Sequence, residues 1–81
     1  MQHPLHLAGF DYGASNGRAV LGTFDGERLS IEEMHRFEND PVQIGETLHW
    51  DILRLFLEMK RGLHKIVKKG YIPAAIGIDT W

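Results

Sequence analysis

Ile52, Leu55, Phe56, Met59, Leu63, Ile66 and Val67 recur at helical spacing and put one apolar stripe on one long helix. A helix of this kind must bury its stripe against another layer, and the remaining apolar-rich segments of the chain are strand-like, so the expected product is a helix laid on a sheet. Asp51 stands where an N-cap acceptor belongs, and Gly70 where a C-cap belongs. Five of the nine basic residues, Lys60, Arg61, Lys65, Lys68 and Lys69, fall in the second half of this segment, where they complement the helix dipole and keep the outer face wet.

Leu5 to Asp11 alternates in a way that suits a strand covered on both faces. Gly13 to Gly17 follows as a tight turn, and Arg18 to Phe24 as a second strand. A third strand, about Arg28 to Phe37, begins across the Asp25-Gly26 turn. Its adjacent Glu32 and Glu33 break strict alternation and call for a bulge or an exposed edge. Glu38 to Leu48, with Asp40-Pro41 and Gly45, reads as a connecting loop. After the helix, Ala74 to Ile78 is a short apolar run compatible with a covered strand ending near Asp79.

The expected order is strand, strand, strand, helix, strand. A right-handed crossover then sets the last strand parallel to the first and beside it, giving an α/β unit with sheet order 3-2-1-4. With 81 residues, one compact unit is the ceiling. A composition of 43% apolar and 25% charged residues with net charge -2 favours neither disorder nor membrane insertion. No apolar run reaches spanning length, and the first ten residues lack the pattern of a secretory signal, so a cytoplasmic protein is expected. Without cysteine there is no disulfide, thiol catalysis or thiolate metal site. The basic cluster on the helix lacks the interleaved aromatics and large positive balance of a nucleic-acid surface.

The segment Asp11-Tyr12-Gly13-Ala14-Ser15-Asn16-Gly17-Arg18 joins a strand-end carboxylate to two glycines, a hydroxyl and an arginine. Such a turn can aim backbone N–H groups at phosphate while the carboxylate reaches a hydrated divalent cation. Gly13 and Gly17 suit it if the turn demands positive φ, or if a side chain would block a phosphate. Walker loops and Rossmann fingerprints lead from the glycine turn into a helix, whereas here a strand follows. By itself the hairpin could simply turn the chain. Asp79 supplies a second carboxylate for the same crevice, a repulsive arrangement unless a cation, a proton or water compensates it. An aspartate before Thr80 equally suits an Asx turn.

Other candidates have ordinary explanations. His3 and His6 supply too few ligands for a metal. His35 and His49 have no serine and orienting carboxylate to complete a nucleophilic triad, and with His64 they read as packing or exposed residues. Trp50 and Phe56 are expected to pack against the sheet rather than to form a partner groove.

The hairpin Asp11 to Arg18 resembles the first phosphate-binding hairpin of the FGGY carbohydrate kinases, in the form of their rhamnulokinase branch. His35-Arg36-Phe37 with Asn39, Trp50-Asp51 at the helix start, and Gly77-Ile78-Asp79-Thr80-Trp81 agree with that branch in order and spacing. The resemblance implies a partial actin-like, ribonuclease-H-like ATPase domain, with residues 1–81 forming the N-terminal part of the N-terminal domain and a second domain lying beyond. It implies ATP and Mg2+ as cofactors, and a small-molecule sugar as partner. For the parent protein it implies transfer of the γ-phosphoryl group of ATP to the 1-hydroxyl of L-rhamnulose in L-rhamnose breakdown.

In that reading Asp11 would organise the magnesium-bound phosphates or their water shell. Gly13, Ala14, Ser15, Asn16, Gly17 and Arg18 would approach the transferred phosphoryl group, and Asp79 would support the hydrated metal. The general base would belong to the second domain, so the chain by itself is expected to be inactive. Trp81 would lie at the sugar edge or act as a local apolar anchor. Tyr12 departs from the smaller aliphatic residue or phenylalanine expected there, and its hydroxyl needs a partner. Competing readings are another FGGY ketose or polyol kinase, an actin-like ATP-binding regulatory segment, and a structural module that self-associates through exposed sheet edges.

Overall fold

The computed structural model describes residues 4–80. Its elements are β1 (Leu5–Tyr12), β2 (Asn16–Phe24), β3 (Leu29–Glu38), β4 (Val42–Ile44), β5 (Thr47–His49), α1 (Ile52–Lys68) and β6 (Ala75–Thr80). The main sheet has the order β3-β2-β1-β6, with β1 antiparallel to β2 and parallel to β6. The four main strands thus stand side by side as expected, but the last of them is the sixth strand of the chain.

The difference lies in residues 38–48, where a loop was expected and a short antiparallel hairpin of β4 and β5 forms. Val42, Ile44 and Thr47 favour extended backbone, and Ile44 pairs with Thr47 across the two-residue turn Gly45-Glu46. Positive φ at Gly45 (62°), with no positive-φ residue other than glycine among the described residues, is the type II′ pattern that matches strand twist.

In β3 the register steps from Ala19 with His35 to Val20 with Glu33, leaving Met34 as an extra residue. The adjacent glutamates are therefore accommodated by a bulge on an edge strand, as the broken alternation required. The bulge also turns both Glu33 and Arg36 toward the face of the sheet away from α1.

The core is built from Ala8, Phe10 and Tyr12 of β1, Ala19 and Leu21 of β2, Phe37 of β3, and Leu55 and Ile66 of α1. Met34, Met59, Leu63 and Tyr71 pack around it. Asp51 accepts a hydrogen bond from the Arg54 amide at 3.1 Å, and Gly70 closes the other end with φ of 107°. The expected stripe is narrower than the spacing implied, because Ile52, Phe56 and Val67 are exposed while Glu58 and Gly62 complete the buried line. The helix comes closest to the sheet at Gly62, where a Cβ would stand 2.6 Å from Ala19 Cβ, so the buried line is centred there and Phe56 and Val67 fall well round the helix from it. Phe56 instead lies under the Lys60 ammonium, 5.7 Å from its ring centroid, which corrects the expectation that it packs on the sheet.

Two other expectations of coverage are corrected. One helix lies across β3, β2 and β1 and leaves β6 bare, so β6 is exposed along its length, and the second face of β1 is open. A chain that spells one helix can cover only one face. Among the described residues no helix is long and apolar enough to cross a membrane.

The one buried charge on α1 is locked in place. Glu58, 3% exposed, accepts hydrogen bonds from Arg61 Nη1 at 3.0 Å and from His35 Nε2 at 3.4 Å. Lys65 Nζ lies 2.7 Å from His35 Nδ1; an ammonium can only donate, so Nδ1 accepts and Nε2 carries the hydrogen given to Glu58. Burial pushes the Glu58 pKa up, but the bonds from Arg61 and His35 outweigh it and hold the carboxyl below its ordinary 4.5. A depressed folded-state pKa contributes stability that is complete above about pH 4.5 and is lost as pH falls through the lower folded value. Denaturant midpoints measured from pH 7 down to pH 3 should therefore fall less steeply for Glu58→Gln than for the unaltered chain.

Candidate functional site

The hairpin between β1 and β2 is held from three sides. Within it, the Gly13 amide donates to the Asn16 carbonyl at 2.9 Å. From β3's end, Asn39 donates through Nδ2 to the Gly13 carbonyl at 2.8 Å and through its amide to the Ser15 carbonyl at 3.1 Å. Beneath it, Tyr12 donates its hydroxyl to the Leu55 carbonyl at 2.9 Å, the partner its position required. Burial, and next the nearby Glu58 carboxylate, push the Tyr12 pKa up, which keeps the hydroxyl a donor.

The glycines are there for packing rather than for φ. Neither Gly13 nor Gly17 has positive φ, which corrects that part of the expectation. A Cβ on Gly17 would fall 2.4 Å from Phe37 Cζ and 3.1 Å from Tyr12 Cδ1, and one on Gly13 would fall 3.0 Å from the Asn16 carbonyl oxygen. Phe37 and Tyr12 meet edge to face above Gly17, with centroids 5.7 Å apart. Phe37 and Asn39 thus form a support for the hairpin, a role legible only once β3 is paired with β2.

On the open face, register places a row across all four strands: Asp79 beside Asp11, Asp11 beside Arg18, and Arg18 beside Arg36. Asp11 Oδ2 accepts from Arg18 Nε at 3.2 Å and from Nη2 at 3.0 Å, both side chains being about half exposed. Asp11 and Asp79 line one open crevice of about 340 Å³ with Gly9, Val20 and Gly77. Gly9 and Gly77 are themselves register partners, so behind the two carboxylates β1 and β6 offer bare backbone, with the Val20 side chain beside it on β2.

Two carboxylates over an unfilled floor suit a hydrated divalent cation, since Mg2+ keeps several waters and takes one or two carboxylates. Among the described residues no group of three or more histidines, cysteines or acids comes together, so a cage made wholly of side chains is not what the site offers. Ala14, Ser15 and Asn16 form the tip of the hairpin beside this crevice's row.

The remaining sequence candidates fall elsewhere. His6 Nδ1 lies 3.2 Å from Thr23 Oγ1 and its ring meets Tyr71 edge on, so it is packed between strands. His49 pairs with Thr47 within β5, His35 serves Glu58, and His64 is exposed. His3 and Trp81, the first considered with His6 for a metal and the second for the sugar edge, lie outside the described residues.

No family model matches the chain. It is 41% identical over 71 residues to the rhamnulokinase of Oceanobacillus iheyensis, 88% of the chain against 15% of that enzyme. It is 42% identical over 79 residues to that of Mannheimia succiniciproducens, 95% of the chain against 16% of the enzyme. The rhamnulokinase of Bacillus subtilis gives 41% over 71 residues, again 15% of its length. The chain spans about 15% of the length of the curated relatives it matches. The FGGY carbohydrate kinase resemblance carried by the hairpin and the Gly77 to Trp81 motif is therefore shown along nearly the whole chain, and within that family the chain is most like the rhamnulokinases.

Proposed function

We propose that the chain is the N-terminal part of an ATP-dependent carbohydrate kinase of actin-like fold, acting in the cytoplasm, with L-rhamnulose as the acceptor. The observation that carries this reading is the register that sets Asp11 and Asp79 side by side at the rim of a glycine-floored crevice, next to the hairpin. The likeness to rhamnulokinases supports the same chemistry and the same sugar.

In this reading Asp11 and Asp79 would hold Mg2+ through water, and the ion would supply charge neutralisation for the phosphates of ATP. The hairpin of Gly13, Ala14, Ser15, Asn16 and Gly17 would meet the terminal phosphate with the backbone of its tip, Ala14 and Ser15, while Gly13, Asn16 and Gly17 hold its shape, and Arg18, steadied by Asp11, would add a guanidinium. Such transfer depends on positioning and charge compensation, and these residues form one wall of the place where both would happen. Trp81 is proposed for the sugar edge, and a second domain for the general base. The chain alone is then inactive.

The test is steady-state ADP production by the full-length protein with Mg2+ and ATP, across L-rhamnulose, L-fuculose, D-xylulose, L-ribulose and glycerol. Turnover dependent on L-rhamnulose is expected. Preference for another acceptor would keep the kinase and overturn the sugar, and absence of sugar-dependent ADP from folded protein would overturn the kinase reading.

A further inference from the structure

The row across the open face holds a second arginine that no phosphate role has yet absorbed. Arg36 is the register partner of Arg18 and faces the same side of the sheet. It reaches that side because Met34 bulges out of β3, which also brings Glu33 round to hold it: Arg36 Nε and Nη2 lie 3.1 Å and 2.7 Å from Glu33 Oε1. The hydrogen bond from Arg36, opposed by burial and helped by the charges of Arg36 and Arg18, keeps the Glu33 carboxyl below the usual range. The Glu33 side chain therefore stays a charged acceptor anchored on the Arg36 guanidinium.

Across the four strands the row thus reads acid, acid, base, base. Its acidic half lines the crevice at Asp11 and Asp79. Its basic half ends at Arg36, which with Ser15 and Asn16 of the hairpin tip lines a separate open pocket of about 680 Å³. Glu38 and Asp40 also line that pocket, so its attraction for an anion has to come from Arg36. Glu33 occupies only one edge of the guanidinium, and Nη1 carries further donors.

We infer that Arg36 is a second phosphate-binding arginine, positioned by Glu33 through the bulge at Met34, and that it takes the polyphosphate of the nucleotide beside the hairpin tip. The inference rests on the kinase reading above for the identity of the ligand, but the row itself requires only an oxyanion. Lysine at this place supplies a point charge and loses the two-pronged grip, so Arg36→Lys recovers part of what Arg36→Gln removes.

Calorimetric binding of inorganic tripolyphosphate to the full-length protein, with and without Mg2+, reads the row without relying on turnover. Arg36→Gln is expected to weaken binding about tenfold or more, and Arg36→Lys less. Lys69→Gln, which breaks an exposed pair with Glu32 on the helix side, is expected to leave binding unchanged. In the coupled assay Arg36→Gln raises KM for ATP by a similar factor, with an unchanged thermal midpoint. Tripolyphosphate binding equal to that of unaltered protein would overturn the role of Arg36 while leaving the kinase reading intact. Weakened binding in a protein without sugar-dependent turnover would sustain the row and overturn the kinase. A protein that binds no tripolyphosphate would overturn both.

Discussion

Gly62→Val is expected to destabilise the chain by about 3 kcal/mol, enough to threaten folding in a domain of this size. Two effects compete at this position. Glycine inside a helix is about 1 kcal/mol worse than alanine, so any side chain gains something from propensity. Against that, a Cβ at residue 62 would lie 2.6 Å from Ala19 Cβ and 3.2 Å from Phe10 Cε1, both on the buried face of the sheet. Neither neighbour is the end of a flexible chain, since Ala19 has no rotamer to change and Phe10 is 3% exposed. Relief requires α1 to lift, which also loosens Ile66 and the Tyr12 bond to the Leu55 carbonyl. Urea denaturation should show a lower midpoint for Gly62→Ala and a much lower one for Gly62→Val. A midpoint that rises in both would mean that the helix does not approach the sheet as described.

Asp11→Asn in the full-length protein is expected to lower sugar-dependent turnover by about a hundredfold or more, on the proposed kinase reading. The substitution keeps the size of the side chain and removes the charge that faces the crevice with Asp79. Its structural cost is small, because the Asp11 and Arg18 side chains are 49% and 44% exposed and an ion pair of that kind contributes about 0–1 kcal/mol. Loss of rate without loss of stability separates a role in the chemistry from one in folding. Asp25→Asn is the control. Asp25 caps the β2 to β3 turn through bonds to the amides of Glu27 and Arg28, far along the strands from the hairpin, and its removal should leave turnover unchanged. Equal losses in the two variants would sink the assignment of Asp11.

Much of the candidate site could be read from the chain because it is local. Asp11 to Arg18 are consecutive, and the strand, glycine turn, strand pattern around them needs no distant partner to be recognised. Asp79 was placed next to Asp11 by the handedness of the crossover, a rule that holds without knowing any side-chain contact. Arg36 and Asn39 were visible only as part of a motif. Their roles depend on a bulge that shifts register by one residue, and alternation alone does not say which residue bulges.

The sequence by itself determined the helix and its caps, the three antiparallel strands, the parallel return and the place of the hairpin between β1 and β2, because periodicity, turn residues and chain connectivity are all short-range properties. Only the tertiary structure decided which residues of the helix stripe are buried, why Gly13 and Gly17 are glycines, and that residues 38–48 pair as a hairpin. The pairing of residues 38–48 is local, but Asp40-Pro41 and Gly45 suit a loop equally well. For the stripe and the two glycines the physical reason is a distance between segments far apart in the chain: Phe37 above Gly17, Ala19 beneath Gly62, Asn39 against Gly13. A close approach of this kind is made by packing, and packing is not written in any one segment.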